Sequence, residues 1–437
     1  MPRLRTTAIL AAALASIPFV AAAQPLPDAP VPPPAPDVAA EPPVVPEAPA
    51  PVSPAASPDR APAASAPMLT LASGVSAQLD GYVEAHYSYN FNQPSNGVTN
   101  YRGFDDRHDT FAFSNAVIGA NVEASALSAR VALQFGRTPT TAYLAEPSIS
   151  GASGSAASGA DVFRYIQQAY AGWKAPVGRG LLIQAGIFLS PVGYEGIAVK
   201  DNWNYSRSNL FFGLPCYHMG IHATYEVSDR LSIVGMVSNG WNTVLDNNGD
   251  KSVTAQILYK VPDRLTLSLL YSGGNERPKD APEGAPWRHL FDVWAQVDVS
   301  PWLSFAGQAD GGFEENRFGT SYWGAGALYA RVHPAPFLYV AARGDLFRER
   351  AARSAEGTAA RIFWPANTVS SGTVTADFRP GVWTGASNVS VRVELRHDAA
   401  DAPMFFQGNV KGDGVTTPYV TNARAQDTVT VGLTGWF

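Results

Sequence analysis

The last eleven residues of the chain, Asp427 to Phe437, alternate between apolar and polar side chains. The apolar positions are Val429, Val431, Leu433 and Phe437, and Thr428, Thr430, Thr434 and Trp436 lie between them. Because side chains on a strand point alternately to opposite faces, this pattern predicts a terminal β-strand with one apolar face. In water a second sheet must cover such a face, whereas in a closed membrane barrel lipid covers it and no strand edge stays exposed.

The start of the chain predicts export. Arg3 and Arg5 precede an apolar run from Ala8 to Val20, and the small residues 21–23 resemble a cleavage site. We therefore expect residues 1–23 to be a secretory signal peptide. No later segment reaches the about 18 to 20 continuous apolar residues that a membrane-spanning helix requires.

Residues 24–74 form the next predicted region, and most of it is rich in proline and alanine. Such a composition cannot bury a core and favours an extended, polyproline-like chain. We expect a disordered periplasmic linker. It is either a tether that reaches toward the cell wall or a partner, or a simple spacer.

From residue 75 to residue 437 the sequence is a succession of short alternating segments. The first runs from Leu79 to Phe91, and with the terminal strand about sixteen such segments can be distinguished. Each is close to the about 9 to 11 residues that a tilted strand needs to cross a bilayer. The pattern predicts an all-β fold, a transmembrane antiparallel up-and-down β-barrel of about 16 strands.

The connections between these segments support the barrel interpretation. Long joints such as 92–109 and 138–161 are expected to alternate strictly with short ones such as 125–126 and 227–230. An up-and-down barrel produces this order when one rim carries external loops and the other carries periplasmic turns. The strand that ends at Phe437 is also expected to be recognised by the barrel-assembly machinery.

The polar side of the strands is expected to line a wet interior, because a charged side chain facing the lipid midplane costs about 2 to 4 kcal/mol. The predicted inward residues are Arg130, Gln134, Arg164, Gln168, Lys174, Gln184, Gln256, Asp298, Gln308, Asp310, Arg343, Asp345, Arg392, Glu394 and Arg396. A barrel of this size can enclose an aqueous channel. The formal charge of −6 argues against nucleic-acid binding.

Several motifs resemble the OmpL-like β-barrel porins of Gram-negative bacteria, between about Leu79 and Phe437. They are Gln167-Gln168-Ala169-Tyr170, Gly186-Ile187-Phe188, Gly193-Tyr194-Glu195-Gly196, Tyr205-Ser206-Arg207-Ser208, His218-Met219-Gly220, Ser238-Asn239-Gly240-Trp241 and the run from Arg392 to Asp398. The resemblance implies an outer-membrane channel for passive diffusion of small hydrophilic solutes or ions, with anion-tolerant or unspecific passage. Ile187 stands where that family has a lysine, which argues against strong anion selectivity.

The third long joint, Pro191 to Leu214, is the candidate constriction of the predicted channel. Opposite charges across a narrow opening create a transverse field that orients solutes. We expect Glu195 and Asp201 to face the wall arginines, against the alternative of an ordinary surface loop. The predicted pore-lining and constriction residues are Arg130, Arg164, Glu195, Asp201, Arg207, Arg343, Arg392, Glu394 and Arg396.

Other functional classes have weaker support in the sequence. On a strand, His218 and His222 would stand about 13 Å apart, too far for one metal ion. Residues 246–250 resemble the start of a calcium loop but lack its terminal glutamate. We therefore expect no enzyme, metal or cofactor. The alternative to a channel is a structural or adhesion barrel that the proline-rich segment tethers to the cell wall. The expected partners are outer-membrane lipid, small polar solutes or ions, and further copies of the chain in a possible homotrimer.

Overall fold

The computed structural model of the protein describes residues 68–72, 74–144, 146, 160–381 and 388–437. The predicted signal peptide, residues 1–23, lies outside the described residues. So does the predicted linker up to residue 67. None of the described helices is both long enough and apolar enough to cross a membrane.

The described residues form an antiparallel β-barrel. The strands are β1 Met68–Ala72, β2 Val75–Asn90, β3 Thr110–Ala124, β4 Leu127–Phe135, β5 Ile166–Ala175, β6 Leu181–Leu189, β7 Tyr217–Glu226, β8 Leu231–Ser238, β9 Ser252–Val261, β10 Leu265–Asn275, β11 Trp287–Ser300, β12 Leu303–Asn316, β13 Gly319–Ala335, β14 Leu338–Arg350, β15 Thr368–Phe378, β16 Val389–Ala400 and β17 Ala425–Trp436. From β2 to β17 each strand pairs with the next one along the chain. The terminal strand β17 then pairs with β2, with Val431 opposite Tyr87, and closes a ring of sixteen strands. The predicted up-and-down barrel is confirmed.

Strand β1 is a departure from the expected domain boundary. Met68–Ala72 lies within the range 24–74 that was expected to be disordered, yet it pairs antiparallel with β2, with Met68 opposite Gln78. The cause is visible in β2, because its residues 75–80 extend beyond the end of the last strand and so offer an unpaired edge.

The two faces of the wall follow the predicted polarity. Leu395 on β16 is 59% exposed on the outer surface, whereas its neighbours Glu394 and Arg396 are 1% and 3% exposed and point inward. The terminal strand repeats the pattern, with Leu433 exposed and Thr434 buried. The barrel is therefore apolar outside and polar inside, as the alternation predicts.

Most joints sort to the two rims by length, although the joint 379–388 on the short-turn rim has ten residues. The turns between β3 and β4 and between β7 and β8 are short, and the joints 91–109 and 401–424 on the other rim are long. However, β12 and β13 are joined by Arg317 and Phe318 alone on the long-joint rim. The prediction of strict alternation is wrong there, because β12 and β13 continue as a paired ribbon up to Asn316 and Gly319 and leave only a tight turn.

An apolar cluster lies inside the long-joint rim. Tyr101, Trp364 and Phe405 come from three long joints and pack around the inward-facing Phe347 and Leu290. The rings of Tyr101 and Trp364 lie 5.7 Å apart, centre to centre. We call these five residues the rim cluster. They anchor the long joints over the mouth of the barrel.

Candidate functional site

The joint between β6 and β7, residues 190–216, runs inside the barrel; we call it the lumen segment. It contains two short 3-10 turns, Val199–Asp201 and Phe211–Gly213, and most of its residues are buried. A surface loop would leave its polar backbone in water, whereas this segment bonds to side chains of the wall. The segment is thus the element that narrows the lumen.

The start of the lumen segment docks on β11 and β12. The backbone N–H of Tyr194 donates to Gln308 Oε1 at 3.0 Å, and its hydroxyl donates to Gln296 Oε1 at 3.0 Å. The Tyr194 ring lies 5.5 Å from that of Trp294 and 5.0 Å from that of Tyr329. Aromatic rings at these separations attract each other beyond simple burial, so Tyr194 anchors the segment firmly.

Glu195 and Arg343 form a buried ion pair, as the sequence predicts. Arg343 Nη1 lies 2.8 Å from Glu195 Oε1 and donates a second hydrogen bond of 2.7 Å to the carbonyl of Ser206. The same arginine lies 3.5 Å from Asp345. Since a buried charge is stable only when it is paired and hydrogen-bonded, these contacts fix both halves of the segment to β14.

The β16 motif residues hold the middle of the segment. Arg392 donates to the carbonyls of Val199 and Asn204 at 2.9 and 3.0 Å. Glu394 accepts the backbone N–H groups of Tyr205 and Ser206 at 2.6 and 3.1 Å. The inward stripe of β16 therefore binds the segment through its backbone.

Two more of the predicted site residues, Arg396 and Arg207, also form hydrogen bonds with the lumen segment. Arg396 donates to Ser206 Oγ at 3.1 Å and pairs with Asp398 at 2.7 Å. Arg207 folds back on the segment itself, donating to the carbonyls of Gly196 and Tyr205 at 3.1 and 2.7 Å. It is 2% exposed, so it braces the segment from within.

Two carboxylates outside the predicted pore-lining and constriction residues also bind the segment. Glu84 on β2 accepts the N–H of Val199 at 2.6 Å, and Asp345 accepts the side-chain amide of Asn209 at 2.8 Å. Both stand on the inward side of their strands, which the alternation identifies. The sequence gives no signal that these inward positions, rather than others, lie beneath the segment.

Asp201 and Arg130, which were expected to take part in pairs between the segment and the wall arginines, each form an ion pair with another residue. Asp201 lies 2.7 Å from the neighbouring Lys200, and the two side chains keep 37% and 28% of their surface exposed. Arg130 pairs instead with Asp80 at 2.7 Å. The reason is position, because Asp80 lies on the adjoining part of the wall while Asp201 sits at the turn of the segment.

Arg164 lies outside the strands. Strand β5 begins only at Ile166, and Arg164, which was expected among the inward residues of the wall, belongs to the 3-10 helix Ala160–Tyr165. Its carbonyl accepts a hydrogen bond of 2.9 Å from Gln134, and its guanidinium lies 5.7 Å from the centre of the Tyr165 ring. It therefore sits at the long-joint rim and not in the wall.

The inner face of β4–β8 differs from the rest of the lumen wall; we call it the open wall. Toward the short-turn rim its inward side chains keep contact with solvent: Lys174 is exposed, and Arg130, Tyr170 and His222 are partly exposed. His222 bonds to Gln184 at 2.5 Å and stacks on Phe188. This face is wetted and polar, as a solute path requires.

The alternative chemistries named from the sequence have structural explanations. His218 bonds to Ser190 and to the carbonyl of Gly240, each at 3.0 Å. Asp246 accepts N–H groups of its own turn from Asn248 and Gly249. Within the described part of the chain, no group of three or more His, Cys, Asp or Glu residues is placed to hold a metal ion.

The family is decided by a comparison with protein-family models. A model described as "Putative beta-barrel porin-2, OmpL-like" matches residues 76–434. The chain belongs to this porin family. The porin is thus an outer-membrane channel for passive diffusion. A search of curated proteins finds no match.

Solved structures with the same fold are outer-membrane proteins. OmpT of Vibrio cholerae is 9% identical, with 85% of this chain and 100% of that chain covered and a TM-score of 0.51. An anion-selective porin from Comamonas acidovorans is 13% identical, with 83% and 100% covered and a TM-score of 0.51. The channel DcaP of Acinetobacter baumannii is 10% identical, with 84% and 99% covered and a TM-score of 0.51. At these identities the likeness shows the fold of the porin.

The porin motifs have a shared structural basis. Residues 193–196 bind β11, β12 and β14, and residues 205–208 bind residues 392–398 of β16. Ile187 packs with Tyr217 and Val244 on the outer side of the wall. Its side chain therefore does not contribute to the lining of the lumen.

Proposed function

We propose that small polar solutes cross this porin between the lumen segment and the open wall. The segment is bonded to β2 and to β11, β12, β14 and β16, which fills that side of the lumen. The exposed charges of Lys200 and Asp201 project from its turn. The single observation that carries the proposal is the partial exposure of inward side chains on β4–β8.

The charges along this path set the proposed ion preference. Lys174 is an exposed cation and Lys200 a partly exposed one. The charge of Lys200 is balanced by Asp201, and that of Arg130 by Asp80. Fixed charges in a narrow lumen change the local concentration of ions of opposite sign. We infer weak anion preference that depends chiefly on Lys174.

Single-channel recording in planar bilayers tests this proposal. Lys174→Glu reverses a charge on the path, so the reversal potential in a salt gradient should shift toward cation preference. Arg179→Glu is the matched control, because Arg179 is a cation of the adjacent turn that pairs with Asp229 and is about half exposed. Equal shifts in both variants, or none in Lys174→Glu, would contradict the path.

A structural or adhesion barrel is the second candidate. The rim cluster favours it, because apolar side chains from several long joints pack together inside the mouth. A purely structural barrel would show no ion conductance after reconstitution, whereas the proposed channel conducts. We propose that residues 24–67 follow a cleaved signal peptide and tether the barrel from the periplasm. Their truncation should therefore weaken the association with the cell wall and leave the ion conductance intact.

We further propose that the barrels associate through the outer face of β12–β15. Small residues are frequent among its outward positions: Gly307, Ala309, Gly311, Gly324, Gly326, Ala330, Ala342, Gly344, Gly372 and Ala376. A Cβ at Gly344 would meet no atom within 4 Å, so packing within the chain does not require glycine there. Small residues let membrane segments approach closely, and one form of Vibrio cholerae OmpT is a trimer.

The oligomer proposal has a matched pair of variants. Gly344→Trp places a large ring on the small-residue face, and Gly235→Trp places the same ring on the outer side of β8, where a Cβ also meets nothing within 4 Å. We expect the first variant alone to shift the mass measured in mild detergent from trimer to monomer. A trimer that survives Gly344→Trp would contradict this face.

A further inference from the structure

Two carboxylates meet beneath the start of the lumen segment. Asp292 on β11 and Asp310 on β12 are directly opposite each other in the antiparallel register. Both point inward and are 3% and 6% exposed. Opposite residues place their Cβ atoms about 4.5 to 5.5 Å apart, and these two side chains are within hydrogen-bonding contact.

Gln308 links this pair to the lumen segment. Its amide nitrogen donates to Asp292 Oδ2 and to Asp310 Oδ1, each at 3.0 Å. Its carbonyl oxygen accepts the N–H of Tyr194 at 3.0 Å, and the N–H of Gly193 faces Asp292 Oδ1 at 3.4 Å. The two acids, the glutamine and the first residues of the segment thus form one network.

The surroundings of the pair supply little compensating charge. Leu270 of β10 lies opposite Asp292, and Ala325 of β13 lies opposite Asp310. From the lumen segment the phenol of Tyr194 faces this region and is bonded to Gln296. Among the described residues, no ion pair includes Asp292 or Asp310.

Charged groups on the same two strands and on the lumen segment have other partners. On the same two strands, Arg288 and Glu314 lie four residues away and pair with each other at 2.8 Å. Asp298 lies six residues from Asp292 in the other direction and accepts the hydroxyl of Ser304. On the lumen segment, Glu195 is bound to Arg343. The carboxylate pair must therefore be stabilised from within itself.

We propose that Asp292 and Asp310 share one proton and act as positioning residues, so that loss of this proton on raising the pH loosens residues 191–194 of the lumen segment. Two ionised carboxylates in contact repel each other, and such a pair titrates as a unit. While the proton is present, one acid donates to the other and Gln308 stays bonded to both. After its loss the carboxylates separate, Gln308 follows, and the N–H of Tyr194 loses its acceptor.

Conductance against pH tests this inference, which rests on the proposed channel. We expect the single-channel conductance of the full-length porin to rise in one step as the pH is raised. Asp310→Asn and Asp292→Asn each leave one carboxylate beside a neutral amide that can donate to it, so the step should be absent in both. Asp298→Asn, an inward acid of the same strand without a carboxylate partner, should keep the step; a step retained in Asp310→Asn would overturn the proposal.

Infrared spectroscopy of the same proteins gives a readout that does not need a conducting channel. A protonated carboxylic acid shows a C=O stretching band that a carboxylate lacks. Above about pH 5, where ordinary carboxyl groups are ionised, we expect the native porin to keep a component of this band that Asp310→Asn lacks, and to lose that component across the same pH range as the conductance step. A native band without conductance would count against the channel alone, whereas no difference between native protein and Asp310→Asn would count against the shared proton.

Discussion

The two sides of the lumen use their polar residues differently. The docked wall, which we define as β2 together with β11–β16, directs its carboxylates and arginines at the backbone of the lumen segment. Glu84, Asp345 and Glu394 each accept hydrogen bonds from it. On the open wall, His222 bonds to Gln184 and Arg130 bonds to Asp80 of the adjoining strand β2, so these inward side chains bond to the wall and not to the lumen segment.

This difference explains how one cylinder can be both packed and hydrated. A buried carboxylate that accepts backbone N–H groups fixes a chain in place, because leaving either group without its partner is costly. Side chains that hydrogen-bond to one another along the wall need no partner from a segment in the lumen. Inward polarity alone therefore does not define a channel. The hydrogen-bond partner of each polar group decides whether the lumen beside it is filled by the segment or open to water.

Arg343→Ala should have the largest effect on this contrast. It leaves Glu195 and Asp345 buried without their cation, which costs about 3 to 5 kcal/mol. We expect the lumen segment to detach while the barrel persists, so that residues 190–216 become susceptible to protease and the conductance rises. Arg353→Ala, which removes only a bond to the carbonyl of Gly357 within a long joint, should change neither.

Asp105→Asn tests the docking of the first long joint. Burial alone would raise the pKa of Asp105, but the charge and hydrogen bond of Arg102 outweigh it, and the pKa lies well below its usual value. The contribution to stability is therefore present above about pH 4 and is lost as the pH falls through the lower, folded-state pKa. At neutral pH the substitution should cost about 2 kcal/mol.

Hydrogen exchange of residues 91–109 measures this effect. Exchange in the native porin should accelerate on acidification, and Asp105→Asn should exchange faster already at neutral pH. Arg102 retains its contact of 3.1 Å with Asp398 in the variant, so the joint should loosen without leaving the barrel. Identical exchange in the two proteins at neutral pH would show that the pair does not hold the joint.

Gly193→Ala and Gly196→Ala form a matched pair within the lumen segment. Gly193 has φ +87°, and a Cβ there would lie 2.8 Å from Leu214 Cδ1 and 3.3 Å from Gln308 Nε2. At Gly196 a Cβ would meet nothing within 4 Å. The first substitution should lower the free energy of unfolding in urea by about 1 to 2 kcal/mol, and the second by less; equal losses would rule out a special role for the backbone at Gly193.

The sequence predicts the barrel far better than the site. Strand alternation identifies the wall and its inward residues because it is a local property of each segment. The pairing of Glu195 with Arg343 could be proposed from the third long joint, but the ion pair of Asp201 with the adjacent Lys200 could not. Gln308 and Tyr194 are separated by 114 residues, and only the register of the closed barrel brings them together.

His222→Ala should have the smallest effect on stability and tests the open wall. It removes one hydrogen bond to Gln184 and a stacked contact with Phe188, at a cost of about 1 kcal/mol. Since this ring stands on the proposed path, the single-channel conductance should increase while hydrogen exchange of residues 190–216 stays as in the native porin. His289→Ala, whose ring lies on the outward side of β11 next to Tyr271, is the control and should leave conductance unchanged. If His222→Ala instead released the lumen segment, the open wall would also be part of the docking surface, and the division of the lumen into two sides would fail.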